Sequence, residues 1–187
     1  MELSNLNIKN GLCISLGANI DSKFGSPFET LLICKPKIEE SINDWGDHSN
    51  KKEEKIKFHA NFFWSSIYET LPHGVENAPP NYLNTLLLVK SNSSPKPSIK
   101  KAKLLLKELK KLERFFGREK TPKGKKWLSR CLDLDILWWE DFHTVDEELT
   151  LPHPRFMNRN FVVTPLSEIL TRGQKIKKLD NPRWTIT

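Results

Sequence analysis

Cysteine is scarce in this chain: Cys13, Cys34 and Cys131 are the only three in 187 residues. Their spacing fits no metal-binding pattern, and an odd number leaves one thiol over in any disulfide scheme. The expectation is three reduced, buried or half-buried thiols in a cytoplasmic protein. No apolar stretch approaches the roughly 18 residues of a membrane span. The opening Met1-Glu-Leu-Ser-Asn-Leu-Asn7 has neither the basic nor the apolar region of a secretory signal. No membrane partner is expected from these features. Internal repeats are missing. So is the glycine-rich phosphate loop: Gly117 and Gly124-Lys125 are too far apart, and neither Ser nor Thr follows the lysine. The protein-kinase motifs are absent as well. Any nucleotide must be held by another arrangement.

What the chain has in excess is positive charge. Lys and Arg number 30 against 23 Asp and Glu, a formal +7, while 37% of residues are hydrophobic. That length and composition suit one domain over 1–187, a monomer with a real core. Much of the basic charge lies in Arg118-Glu-Lys120-Thr-Pro-Lys123-Gly-Lys125-Lys126-Trp-Leu-Ser-Arg130. Directly after it comes Arg130-Cys-Leu-Asp-Leu-Asp-Ile-Leu-Trp-Trp139. Leu132, Leu134, Ile136 and Trp138 alternate there with Cys131, Asp133, Asp135 and Leu137, the period-2 pattern of a strand. Asp133 and Asp135 therefore leave one face, their alpha carbons about 6.6 Å apart. Their repulsion needs an offset. Magnesium binds through one or two carboxylates plus substrate phosphates, and flanking cations suit phosphate oxygens. Taken alone, the pair is equally a strand end turned to water, and the basic loop equally a solvated loop or a nucleic-acid footprint. Their adjacency favours a phosphate ligand over nucleic acid, whose backbone two sheet aspartates would repel.

The remaining elements follow from periodicity and punctuation. Gly11-Leu-Cys-Ile-Ser-Leu-Gly17 is a strand, closed by a turn at Gly17-Ala-Asn19. Phe28 to about Trp45 is helical but kinked or split at Pro36. Residues 46–57 are charge-dense, as in a disordered or inserted loop, and the expected inserted or flexible segment covers about 35–57. Phe62 to Thr70 and Tyr82 to Lys90 are strands, with a proline-rich loop over 71–81. The clearest helix opens at Ser98 as N-cap. It carries Ile99, Ala102, Leu105, Leu106, Leu109, Leu112 and Phe116 on one stripe and stops at Gly117. Glu113 lies inside that stripe, either reaching a lysine such as Lys110 or facing a ligand at the helix end. Strand, helix, strand, strand, helix, strand is the βαββαβ order of ferredoxin-like α+β folds: an antiparallel sheet with helices on one face, here with a C-terminal extension.

Other candidates are weaker singly. Tyr82 and Asn84 share a strand face, where a ring and an amide suit a flat heterocycle; ordinary strand chemistry explains them too. Trp127 stands among lysines, pinning its loop or closing over a ligand. His153 and two arginines, Arg155 and Arg159, fall within seven residues of proline-flanked chain. His153 is either a phosphate donor or a turn residue.

Together these segments resemble the 6-hydroxymethyl-7,8-dihydropterin pyrophosphokinase family of folate biosynthesis. The matching pieces are Ser15-Leu-Gly-Ala-Asn19, Tyr68-Glu-Thr-Leu-Pro-His-Gly74 with Tyr82-Leu-Asn84, and Glu113 with Gly117-Arg118. To these add Trp127 through Arg130-Cys-Leu-Asp133-Leu-Asp135, and Leu151-Pro-His-Pro-Arg155 through Arg159-Asn-Phe161. The resemblance implies transfer of the terminal diphosphate of ATP to the pterin hydroxymethyl group, with release of AMP. It implies two magnesium ions on Asp133 and Asp135, phosphates ringed by Arg118, Lys120, Arg130, His153 and Arg159, and Glu113 near the nucleotide. The pterin would lie between Tyr82 and Phe161 under Trp127, its polar edge read by Thr70, Leu71, His73 and Asn84. Leu128-Ser129 departs from the family's Gly-Pro, the basic loop is about two residues longer, and His73 and Leu71 are atypical.

Overall fold

The computed structural model describes residues 11–50, 57–71, 80–119 and 129–172. β1 (Leu12–Ala18) leads to α1 (Pro27–Asn50), β2 (Asn61–Trp64), β3 (Tyr68–Thr70), β4 (Tyr82–Lys90), α2 (Ile99–Phe115) and β5 (Asp133–Trp139). A ribbon of β6 (Thr144–Val145) and β7 (Thr150–Leu151) and then α3 (Asn160–Thr171) follow. The main sheet runs β2-β4-β1-β5, with β3 also on β4, and its pairings are antiparallel. With β2 and β3 counted as one interrupted strand, this is the ferredoxin-like order expected from the sequence.

Each face of the sheet buries a separate core. Leu12, Ile14 and Leu16 of β1, with Leu87, Val89, Leu134 and Ile136, pack under Leu31, Cys34, Ile38 and Ile42 of α1 and Ala102, Leu105 and Leu109 of α2. On the other face Cys13, Leu86, Leu88 and Trp138 meet Phe156 and the Val162, Leu166 and Ile169 stripe of α3. The C-terminal extension thus supplies a third helix on the face that α1 and α2 leave uncovered.

Three expectations change in detail. Pro36 neither splits α1 nor ends it. It sits on the exposed side, opposite the buried stripe, where water can take the carbonyl its ring displaces. The helix also runs on through Gly46 to Asn50, so the first part of the segment read as inserted, 35–57, is helical; 51–56 lie outside the described residues. Gly46 acts by its missing side chain, since a Cβ there would meet the Phe58 ring at 2.3 Å. Asp47 accepts the Phe58 backbone N–H at 2.8 Å, and the Trp45 indole donates to the Lys101 carbonyl at 3.0 Å.

Second, the strand expected over Phe62 to Thr70 is broken at Ser65–Ile67. Trp64 pairs with Leu87 and Tyr68 with Asn84, so three residues oppose two, a bulge. The Ser65 hydroxyl fills the gap, accepting the Leu86 N–H at 2.9 Å. Third, the alternation in β5 fails after Ile136. Ile14 pairs with Ile136 but Cys13 with Trp138. Leu137 is the extra residue, and Trp138 joins the α3 core while Trp139 joins the other. One added residue reverses every face beyond it.

Candidate active site

The open part of the α3 face carries the polar residues. Register places Tyr68, Asn84, Gly17 and Asp133 in one row across the sheet. Ser15 pairs with Asp135 in the next row, and Thr70 with Tyr82 on the other side. Asp133 and Asp135 share a face as expected. Gly17 keeps the floor between Asn84 and Asp133 bare: a Cβ there would lie 3.1 Å from the Asn84 carbonyl oxygen. Buried Asn84 donates from its amide to the Thr70 hydroxyl at 2.8 Å.

The end of α2 builds the cationic side. Ser98 caps the helix start. At the other end Gly117 has φ +101°, and its N–H donates to Arg114 O at 3.0 Å while the Arg118 N–H donates to Glu113 O at 2.9 Å. This is a Schellman cap, which needs a left-handed residue where glycine stands. It folds Arg118 back onto Glu113. Glu113, 1% exposed, accepts the Arg118 guanidinium, the Lys110 ammonium at 3.0 Å and the Leu134 N–H at 2.8 Å, all at one oxygen. Of the two sequence readings of Glu113, the contact with Lys110 is the one met. Burial pushes its pKa up against the opposing pull of Lys110 and Arg118.

The two aspartates differ sharply. Arg118 donates to one oxygen of Asp133 at 2.6 Å and Arg130 to the other at 2.5 Å. Burial alone would raise the Asp133 pKa, but the two guanidiniums outweigh it and hold the carboxyl below its ordinary range. Asp135 has no hydrogen bond among the described residues, and burial followed by the Asp133 charge pushes its pKa up. His153 and the three cations Lys110, Arg130 and Arg118 surround this pair, the histidine facing Asp135. Burial lowers the His153 pKa, and Arg159 and Arg155 reinforce that against Asp135, so the ring is neutral at neutral pH. The Arg159 guanidinium stacks over the Phe161 ring at 5.3 Å. Tyr82 stands close enough for Arg130 and Asp133 to influence its hydroxyl.

Of the residues singled out from the sequence, Glu113, Arg118, Arg130, Asp133, Asp135, His153, Tyr82, Asn84 and Thr70 converge on this face. Leu71 is 78% exposed just past β3. Lys120, His73 and Trp127 lie outside the described residues. Sequence reasoning missed Asn19, which it read as a turn. It is 2% exposed at the end of β1. Its side-chain oxygen accepts the Arg130 N–H at 2.6 Å, its amide reaches Pro80 O at 3.3 Å and Ser129 Oγ at 3.2 Å, and its own N–H donates to Arg130 O at 2.9 Å. A side chain that, among the described residues, binds main chain and a serine leaves no periodic signal; its traces were its place directly after a strand and at the end of the matching piece Ser15–Asn19.

No three metal-type side chains cluster among the described residues. A cation held entirely by protein is not what this site offers. Two neighbouring carboxylates, one without a hydrogen bond among the described residues, fit a magnesium ion that takes its remaining ligands from phosphate and water.

A ferredoxin-like sheet with a paired-carboxylate, arginine-rimmed centre belongs to an architecture that hosts many functions. Comparison with known proteins narrows it. The profile of the 7,8-dihydro-6-hydroxymethylpterin-pyrophosphokinase (HPPK) family matches residues 13–171, from β1 to the end of α3. The chain belongs to that family. The 2-amino-4-hydroxy-6-hydroxymethyldihydropteridine pyrophosphokinase of Haemophilus influenzae is 36% identical over 105 residues, 56% of this chain and 59% of its own length. Its counterpart from Bacillus subtilis is 35% identical over 111 residues, 59% of this chain and 60% of its own. The folate synthesis bifunctional protein of Arabidopsis thaliana is 29% identical over 157 residues, 84% of this chain and 26% of the plant protein. This chain thus spans about three fifths of the length of the bacterial relatives.

Proposed function

We propose that the protein transfers the terminal diphosphate of ATP to the hydroxymethyl oxygen of 6-hydroxymethyl-7,8-dihydropterin, releasing AMP, as a cytoplasmic monomer in folate biosynthesis. The observation that carries this reading is the unequal acid pair: Asp133 already clasped by two guanidiniums, and Asp135 beside it without a hydrogen bond among the described residues. Family membership and the names of its relatives support the choice of substrates.

In the reaction the pterin hydroxyl oxygen bonds to the β-phosphorus of ATP, the bond from that phosphorus to the oxygen it shares with the α-phosphorus breaks so that AMP leaves with that oxygen, and the hydroxyl proton passes to water. Magnesium held by Asp133 and Asp135 would neutralise phosphate charge and orient the reacting oxygens. The chain's own cations do the rest. Arg118 and Arg130 are held by Asp133, and an arriving polyphosphate competes for their donors. Lys120 and Arg159 extend that rim, His153 adds an uncharged imidazole donor, and Glu113, whose second oxygen has no hydrogen-bond partner among the described residues, faces the nucleotide. Transfer of this kind depends on positioning and on neutralising charge that develops at phosphorus, which this rim is suited to do. The pterin lies between Tyr82 and Phe161, with Trp127 over it. Thr70, Leu71, His73 and Asn84 read its edge; the Thr70–Asn84 bond fixes which way that amide points.

Incubation with ATP, the dihydropterin and magnesium, followed by chromatography of the nucleotides, tests the proposal. The expected result is AMP in step with pterin diphosphate. ADP or inorganic phosphate as the main product overturns it.

A further inference from the structure

We propose that Glu168 is a positioning residue that sets the spacing between the two walls of the pterin slot, a role that rests on the slot assigned above. Its carboxylate, on α3, gathers four donors. It accepts the Ser66 backbone N–H at 2.7 Å, the Ser66 hydroxyl at 3.0 Å, the Tyr68 hydroxyl at 3.1 Å and the Arg172 guanidinium at 2.5 Å. Three of these come from the break before β3 or from β3 itself. On that strand Thr70 pairs with Tyr82 and Tyr68 with Asn84, so one side of the slot hangs from this carboxylate.

The other side is Phe161. Seven residues separate it from Glu168, and at about 100° per residue that is only about 20° short of two full turns. The two therefore lie on one stripe of α3, about 10 Å apart along the axis. The adjacent stripe of Val162, Leu166 and Ile169 is seated by apolar packing. Such packing is non-directional and permits small slides and rotations. Charge-assisted hydrogen bonds are directional, and a bonded Glu168 fixes the rotation that aims Phe161. Burial works to raise the Glu168 pKa, but its bonds to Ser66, Arg172 and Tyr68 more than offset that, so it is ionised at neutral pH.

Steady-state kinetics on the full chain, with ATP and the dihydropterin varied separately, decide the matter. Glu168→Ala is expected to raise the dihydropterin KM about tenfold and leave the ATP KM within about twofold. Glu168→Gln keeps an oxygen for the Ser66 N–H and should recover part of the loss. Tyr68→Phe removes one donor and should raise the dihydropterin KM by less than Glu168→Ala. If Glu168→Ala does not fold, the Gln and Phe variants carry the same comparison. An unchanged dihydropterin KM, or equal rises in both KM values, makes Glu168 a plain anchor for α3 and sinks the proposal. Absence of AMP formation by the wild-type chain is a different failure: the slot assignment falls, and this role with it.

Discussion

The two faces of the central sheet are made from the same strands and do opposite work. On the α1/α2 face, β1 presents Leu12, Ile14, Leu16 and Ala18, all buried. Fully burying one such large aliphatic side chain contributes about 1.5–3 kcal/mol. On the other face the same strand presents Cys13, then Ser15, then Gly17. Apolar cover from α3 stops at Cys13, Leu86 and Trp138, and beyond it stand Asn84, Asp133 and Asp135. Stability is thus concentrated on one face and polar chemistry on half of the other. A β-bulge at Leu137 sets the boundary by turning Trp138 into the α3 core just three residues after Asp135. The lesson is that stability and activity in this protein should respond to different substitutions.

The largest effect that tests this separation is on the polar half. Asp133→Asn or Asp135→Asn should each slow AMP formation about a thousandfold, with an unchanged far-ultraviolet circular dichroism spectrum. Retention of the wild-type rate in either variant would erase the functional side of the contrast. On the helix face, Ile38→Ala empties a fully buried position of α1. It should lower stability by about 2–5 kcal/mol in urea unfolding, while the KM for each substrate stays near the wild-type value in the folded protein. A large change in either KM there would show that the two faces are not separable.

Much of this division was legible in the sequence, and where it was not the reasons are physical. The α2 stripe, its Ser98 start and its Gly117 stop fell where the periodicity put them, because propensity, pattern and caps agree there. The same-face placement of Asp133 and Asp135 needed only a strand. The bulges at Ser65–Ile67 and Leu137 did not show, because an extra residue leaves composition unchanged and alters only the pairing partner. Pro36 signalled a break that exposure on the solvent side made unnecessary. The roles of Asn19 and Glu168 were hidden for another reason: each acts through hydrogen bonds to residues more than a hundred positions away, Asn19 to Arg130 and Glu168 to Ser66. Single-chain periodicity carries no record of such partners.

The smallest predicted effect divides the polar half itself. The Asp133 carboxyl is held below its ordinary range, so its ionised form stabilises the fold above its unfolded value of about 3.9, and that contribution fades as pH falls. Asp135 is pushed the other way: the folded protein favours its protonated form, an advantage present at low pH and lost as pH rises through the raised value. Asparagine resembles the protonated acid at either site. Without magnesium or nucleotide, Asp133→Asn should therefore be less stable than wild type at neutral pH, with the gap closing in acid, because Arg130 loses the carboxylate it donates to and Arg118 keeps only Glu113. Asp135→Asn should be more stable at neutral pH, and that gain should likewise vanish in acid. Urea midpoints for both variants between about pH 8 and about pH 3 read the two signs directly. Shifts of the same sign at neutral pH would mean that the neighbours share their environment, and Asp135 would lose its claim to be the unpartnered carboxylate of the site.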